Sequence, residues 1–193
     1  MKTPHWVPGL AITAALLAGC GSSPPLRYYD LDAAAPAAPA GHAPGVDLLQ
    51  VRHVSVPPEM DHRGLTHHQG ANQLAISDSD QWSAPLPDLI QAALTRDLGA
   101  RLGFEHVLAP AAQPLAGRIQ AALDLDFVAL TADDSCAITA QVNWTLSVPN
   151  GPARRGSTQL TGPGAGCPAG LAAALSTALG TLADQLTAQL TSP

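Results

Sequence analysis

The sequence predicts an α+β domain: an antiparallel-rich β-sheet with two long helices packed on one face. Three observations carry that expectation. From Ile119 to Val148, apolar and polar residues alternate along two runs separated by Ala132-Asp133-Asp134-Ser135. That is the pattern of a hairpin with one buried and one wet face. Between Leu86 and Leu102, the residues Leu89, Ile90, Ala93, Leu94 and Leu98 recur at helical spacing, which makes a single apolar stripe. Leu171, Leu175, Leu179, Leu182, Leu186 and Leu190 make a second stripe near the C-terminus. A striped helix and a half-apolar sheet bury their apolar faces against each other.

The chain starts with Lys2 and His5 and then runs through apolar Leu10–Ala18, the layout of a secretory signal. The run is too short to span a bilayer, which takes about 20 apolar residues. It closes on Leu17-Ala18-Gly19-Cys20. These four residues resemble the lipobox of bacterial lipoproteins. The resemblance implies a signal peptide over residues 1–19 and a mature N-terminus at Cys20, with its thiol diacylated and its amine acylated, palmitate being the usual chain. Gly21 stands where such lipoproteins carry Asp when they stay at the inner membrane, so the resemblance implies the outer membrane. Two or three acyl chains hold a protein firmly where one does not. The expectation is a domain anchored to the membrane that does not cross it.

Removing residues 1–19 leaves 174 of 193 residues (193 − 19), enough for one domain with a sizeable core. The only lysine, Lys2, leaves with the signal, so 8 arginines face 15 acids, a formal charge of −7 (8 − 15). An acidic domain without a basic cluster is a poor ligand for nucleic acid, which is held through Lys and Arg on phosphates. It is equally poor at electrostatic adhesion to anionic headgroups.

Taken in order, residues 20–45 hold the anchor, a first short strand and a loop. Tyr28 and Tyr29 give Arg27–Leu31 strand character. Ala33–Gly45 is Ala/Pro-rich, with little to bury and too many prolines for a helix. Residues 46–193 form the single α+β domain. A strand from Val46, apolar on both faces, ends at Pro57-Pro58. Leu65–Gln69 and Gln73–Ser77 flank Gly70-Ala71-Asn72 as a hairpin. Ser83 is placed to cap a helix from Pro85 to Leu102, with Gly103 just past its end. Phe104–Leu108 reads as a short strand. The long hairpin follows, with Ile119, Ala121, Leu123, Leu125, Phe127 and Ala129 on its apolar face. After the Pro149–Pro152 turn, Arg155–Thr161 reads as a polar strand near an edge. The final helix begins at Pro168.

Candidate chemistry is sparse. His53, His62, His67 and His68 lie in one region with Asp61. Neighbours such as His67 and His68 point to opposite faces of a strand, and no HExxH or Cys/His spacing is present. No metal or cofactor is expected. Asp124 and Asp126 share a strand face about 7 Å apart, but solubility accounts for them better than acid–base work. The glycines of Gly162–Gly166 lack the Lys and Ser/Thr of a phosphate loop, and no GxSxG elbow occurs. The expectation is a protein that is not an enzyme. Cys136 and Cys167 are the two thiols left after Cys20. In an oxidising compartment they are expected to pair and pin the last helix to the sheet.

A further resemblance runs from Tyr28-Tyr29-Asp30-Leu31 through Val54–Arg63 and the hairpin with Asn72-Gln73-Leu74 and Asp78-Ser79-Asp80. It is sharpest at Gln81-Trp82-Ser83-Ala84-Pro85-Leu86. These stretches are similar to the ABC-type transport auxiliary lipoprotein family, of PqiC-like type, in which Arg-Trp, a small residue and Pro-Leu are common. Trp82, Pro85 and Leu86 carry the match; Gln81 and Gly64 depart from the usual Arg and Pro. Beyond Leu102 the match is one of element order. The resemblance implies a non-catalytic lipoprotein on the periplasmic face of the outer membrane, partnering an MCE-domain protein in lipid transport between membranes. It allows a ring-like homo-oligomer. The alternative from another class is a lipoprotein that activates a periplasmic cell-wall enzyme. Within this reading, Trp82 is a core residue holding its helix to the sheet.

Overall fold

The computed structural model describes residues 24–34, 45–113 and 115–191. The lipobox, Cys20 and most of the Ala/Pro segment lie outside them. Among the described residues the fold is α+β with eight strands in two sheets and two long helices. The strands are β1 (Arg27–Tyr29), β2 (Leu48–Ser55), β3 (Gly64–His68), β4 (Leu74–Trp82), β5 (Val107–Leu108), β6 (Gln120–Ala132), β7 (Ile138–Ser147) and β8 (Arg154–Gly162). Helix α1 spans Leu86–Leu102 and α2 spans Gly170–Thr191.

The larger sheet has the order β5-β2-β6-β7-β8. β6, β7 and β8 form an antiparallel meander, whereas β2 lies parallel to both β5 and β6. A strand between two neighbours is buried on both faces, and β2 buries Leu48, Leu49, Gln50 and Val51 in succession. The Gln50 amide donates to the carbonyls of Ala109, Pro110 and Ala112 and accepts from Gln120. Its buried polar atoms are thereby satisfied.

α1 lies along β2, α2 lies along β8 and β7, and the helices pack on each other. Every leucine of both stripes is buried in one core. α2 comes so close to β8 that a Cβ at Gly162 would stand 2.1 Å from the Ala174 carbonyl oxygen, so only glycine fits. Arg101 joins the helices, donating to Asp184 at 2.6 Å, to the Asp97 carbonyl at 2.9 Å and to the Gly180 carbonyl at 3.1 Å. Burial pushes the Asp97 carboxyl up from its ordinary range, and the Arg101 guanidinium opposes that push.

The smaller sheet has the order β1-β4-β3, with β1 parallel to β4 and β3 antiparallel to it. Past β1, Leu31 is fully buried and its carbonyl accepts from Arg96 of α1, while Asp32 N–H donates to Ser176 of α2 at 3.2 Å. The N-terminal segment is thus laid across both helices.

Four local expectations need correction. Ser83 caps nothing: Pro85 occupies the N-cap of α1, without a side-chain cap. The residues at 104–106 form a 3₁₀ turn, and the strand begins only at Val107. Ile119 precedes β6 and is exposed, and β6 carries an irregularity between Phe127 and Ala129 that turns Ala129 outward and puts Leu130 and Ala132 in the core. One extra residue reverses the alternation of everything after it. Cys136 lies in the turn before β7, in the left-handed region with φ 60°.

Candidate functional site

Two stretches separated by 18 residues (64–81) meet at one end of the smaller sheet. Asp61-His62-Arg63 follows the Pro57-Pro58 corner. That corner is closed by hydrogen bonds from Met60 and Asp61 N–H to the Pro57 carbonyl at 2.9 and 3.2 Å. Met60 is buried beneath it and anchors the turn to the core. Trp82-Ser83-Ala84-Pro85 joins β4 to α1. Trp82 N–H donates to the Arg63 carbonyl and Ser83 N–H to the Tyr29 carbonyl, both at 2.8 Å. Between the two stretches lies a cleft of about 320 Å³ lined by Asp61, His62, Arg63, Trp82, Ser83, Ala84 and Pro85.

Physical roles within the cleft divide cleanly. Trp82 is 2% exposed and belongs to the core, so it forms the floor. Pro85 has no N–H to leave unpaired at the helix start, which suits that position. Leu86 turns into the core. The side chains of Asp61, His62 and Arg63 are exposed on the rim and are free to meet a partner. A fixed aromatic floor with a charged, exposed rim suits docking of a polar or charged segment.

A single buried carboxylate holds this end together. Asp80 accepts from Arg27 at 2.7 and 3.0 Å, from Tyr29 Oη at 2.9 Å, from Ser77 Oγ at 2.9 Å and from Ser79 Oγ at 3.2 Å. The Arg27 guanidinium, helped by the serine and tyrosine hydroxyls, draws its pKa down to about 2 against the opposing effect of burial. Asp80 in turn raises the pKa of both Arg27 and Tyr29. Sequence reasoning missed this node. Its signal was present: Arg27 and Tyr29 two apart on one strand face, and an Asp immediately after Ser79 and three after Ser77.

A larger groove of about 610 Å³ runs between β8 and α2. Its walls are already joined by Arg154 to the Gln189 carbonyl at 2.6 Å and by Thr158 to Gln185.

The histidines do not gather. His53 lies exposed on β2, His62 lies on the cleft rim, and His67 and His68 are half-buried on β3. His67 does lie beside Cys136 and Cys167, with one ligand atom of each within 4.8 Å of the others. Those sulfurs are bonded to each other as a disulfide with a Cα–Cα distance of 5.2 Å, within the ordinary span for that bond. They are therefore not thiolate ligands. Asp124 pairs with Arg52 at 2.9 Å, and Asp126 accepts from Ser55. Both aspartates cross-link β6 to β2.

A family model described as ABC-type transport auxiliary lipoprotein component matches residues 29–187. The match takes in both walls of the cleft and the Asp80 node apart from Arg27. No curated protein matches the sequence. Among solved structures, one crystal structure of an uncharacterized protein is similar at 18% identity and a TM-score of 0.65, covering 86% of this chain and 99% of that one. Protein XCC0632 from Xanthomonas campestris, of family DUF330, is similar at 17% identity and a TM-score of 0.62, covering 86% of this chain and 94% of that one. At such identities the two structures speak for the fold alone.

Proposed function

The chain belongs to the ABC-type transport auxiliary lipoprotein family, and from that premise we propose that it is a non-catalytic docking component, tethered to the outer membrane through lipid on Cys20 and facing the periplasm. Its partner in this reading is an MCE-domain protein of a system that moves lipid between the two membranes. The observation that carries the reading is the convergence of two family-like stretches, Asp61–Arg63 and Trp82–Pro85, on one cleft whose rim is charged and exposed. The lipobox ending at Cys20 supports the tether. No helix among the described residues is long and apolar enough to cross a membrane.

Affinity purification from envelope membranes tests the partner. The expected result is recovery of an MCE-domain protein by mass spectrometry, and its loss when Asp61 and Arg63 are both changed to Ala in a folded protein. Recovery of a cell-wall synthase in its place would overturn the reading in favour of an enzyme activator. Cys20→Ala tests the tether separately: the soluble protein should still bind the partner in vitro and fail to support the envelope in cells.

A further inference from the structure

Apolar side chains gather on the outer face of the β1-β4-β3 sheet. Tyr28 stands opposite Gln81 of β4, and Gln81 stands opposite Gly64 of β3. Register neighbours share a face. Further along the same pair, Thr66 faces Ile76 and His68 faces Leu74. Gln81 and Ile76 are five residues apart on β4, while their partners Gly64 and Thr66 are two apart on β3. That irregularity brings Ile76 and Leu74 to the face of Tyr28, where strict alternation would turn them away. The contact at Gly64 agrees, because a Cβ there would meet Ile76 Cγ2 at 2.8 Å. Leu26, two residues before Tyr28, extends the row. The exposed fractions are 55% for Leu26, 57% for Tyr28, 47% for Ile76 and 36% for Leu74. Tyr29, Leu65 and Trp82 pack into or against the core from the other face.

The length of chain before β1 says what covers this face. Five residues lie between Cys20 and Leu26, and fully extended the six steps from one to the other reach about 20 Å. A lipid on Cys20 therefore holds β1 within a short distance of the bilayer surface. We propose that the outer face of the small sheet seats on the lipid surface, with Leu26, Tyr28, Leu74 and Ile76 entering the boundary between headgroups and acyl chains. This inference rests on the reading of Cys20 as the lipidated residue. Tyrosine suits that boundary, with its ring in the apolar layer and its hydroxyl in the polar one. The attraction is apolar. Arg27, the cation on β1, is bonded to Asp80, and the chain from Cys20 onward carries a formal charge of −7 (8 − 15). Seating therefore does not require anionic lipid. It turns a loose tether into a fixed orientation of the domain.

The test uses the full lipidated protein in phosphatidylcholine vesicles, with an environment-sensitive fluorophore on the thiol of Leu74→Cys. The native disulfide pair stays oxidised and unlabelled. Mass spectrometry of the N-terminal peptide first establishes lipid on Cys20. Its absence would sink the anchor reading by itself, before any seating is measured. With lipid present, the label is expected to brighten several-fold and shift to the blue on vesicles. The same label at Ser157→Cys on β8 should stay water-like. Leu26→Ser with Tyr28→Ser should remove at least half of the shift while leaving the melting temperature unchanged. A water-like label on lipidated protein in vesicles would overturn the proposal. So would the same shift in lipid-free Cys20→Ala protein in solution, which would mean that protein covers the face. A shift seen only with phosphatidylglycerol would also overturn it, because the seat would then be electrostatic.

Discussion

The β6-β7-β8 meander is antiparallel throughout and the β1-β4-β3 sheet only in part, and they are held together in different ways. In the meander, consecutive strands pair along ten and nine registered residues, and the apolar face is continuous with the core beneath α2. Local connection and burial suffice there. The small sheet gathers strands from residues 27 to 82, and its first strand has only three residues. Burial alone is thin for a strand that short, so a carboxylate with four donor side chains fixes it. The difference teaches that the short first strand of the small sheet depends on polar geometry, and the meander on apolar area.

The largest expected effect breaks the small sheet from beneath. Trp82→Ala removes the floor of the cleft and should cost about 3 to 5 kcal/mol, read by denaturant unfolding. Amide exchange should rise first in β1, β4 and the start of α1. If β7 amides open to the same extent, the two regions are one cooperative unit and the contrast fails.

The matching change in the meander is Cys136→Ser with Cys167→Ser. The bond closes a loop with a sequence separation of 31, for which the chain-entropy account gives roughly 3 to 4 kcal/mol. The double variant should melt lower while keeping β1 protected. Loss of the β1 pairing in that variant would show that α2 relays the disulfide to the small sheet.

Asp80→Asn sharpens the contrast. It removes the charge that four side chains converge on and should cost about 1 to 3 kcal/mol. The acid limb follows the same node. The folded carboxyl titrates at about 2 against an ordinary 3.8, so its contribution is fully present above 3.8 and is lost as pH falls through about 2. Asp133 in the β6–β7 turn is also held below its ordinary range, first by the Ser135 hydroxyl and also by the Ala137 amide. Both regions therefore loosen in acid. Asp80→Asn should abolish the acid-dependent opening of β1 and leave that of the turn intact, as followed by amide exchange.

The smallest effect is Tyr29→Phe, which removes one hydrogen bond to Asp80 and should cost about 0.5 to 1.5 kcal/mol. A change of nearly zero in a thermal melt would mean that Arg27 and the serines hold the carboxylate without it.

The sequence by itself determined what is periodic or covalently local. The leucine stripes of α1 and α2, the inward residues Ala121, Leu123, Leu125 and Phe127, and the α+β class all follow from spacings of 3.6 and 2 within one segment. The family resemblance was legible for the same reason, since Gln81–Leu86 is one continuous stretch. Only the tertiary structure decided that β2 runs parallel to β6, because parallel partners are joined by long crossovers that leave no turn signal between them. It also decided the division into two sheets, the convergence of Arg27 and Tyr29 on Asp80, and the meeting of Arg63 with Trp82. These are contacts between segments distant in the chain. Each is set by which surfaces remain to be buried once the local elements have formed, and no window of sequence contains both partners.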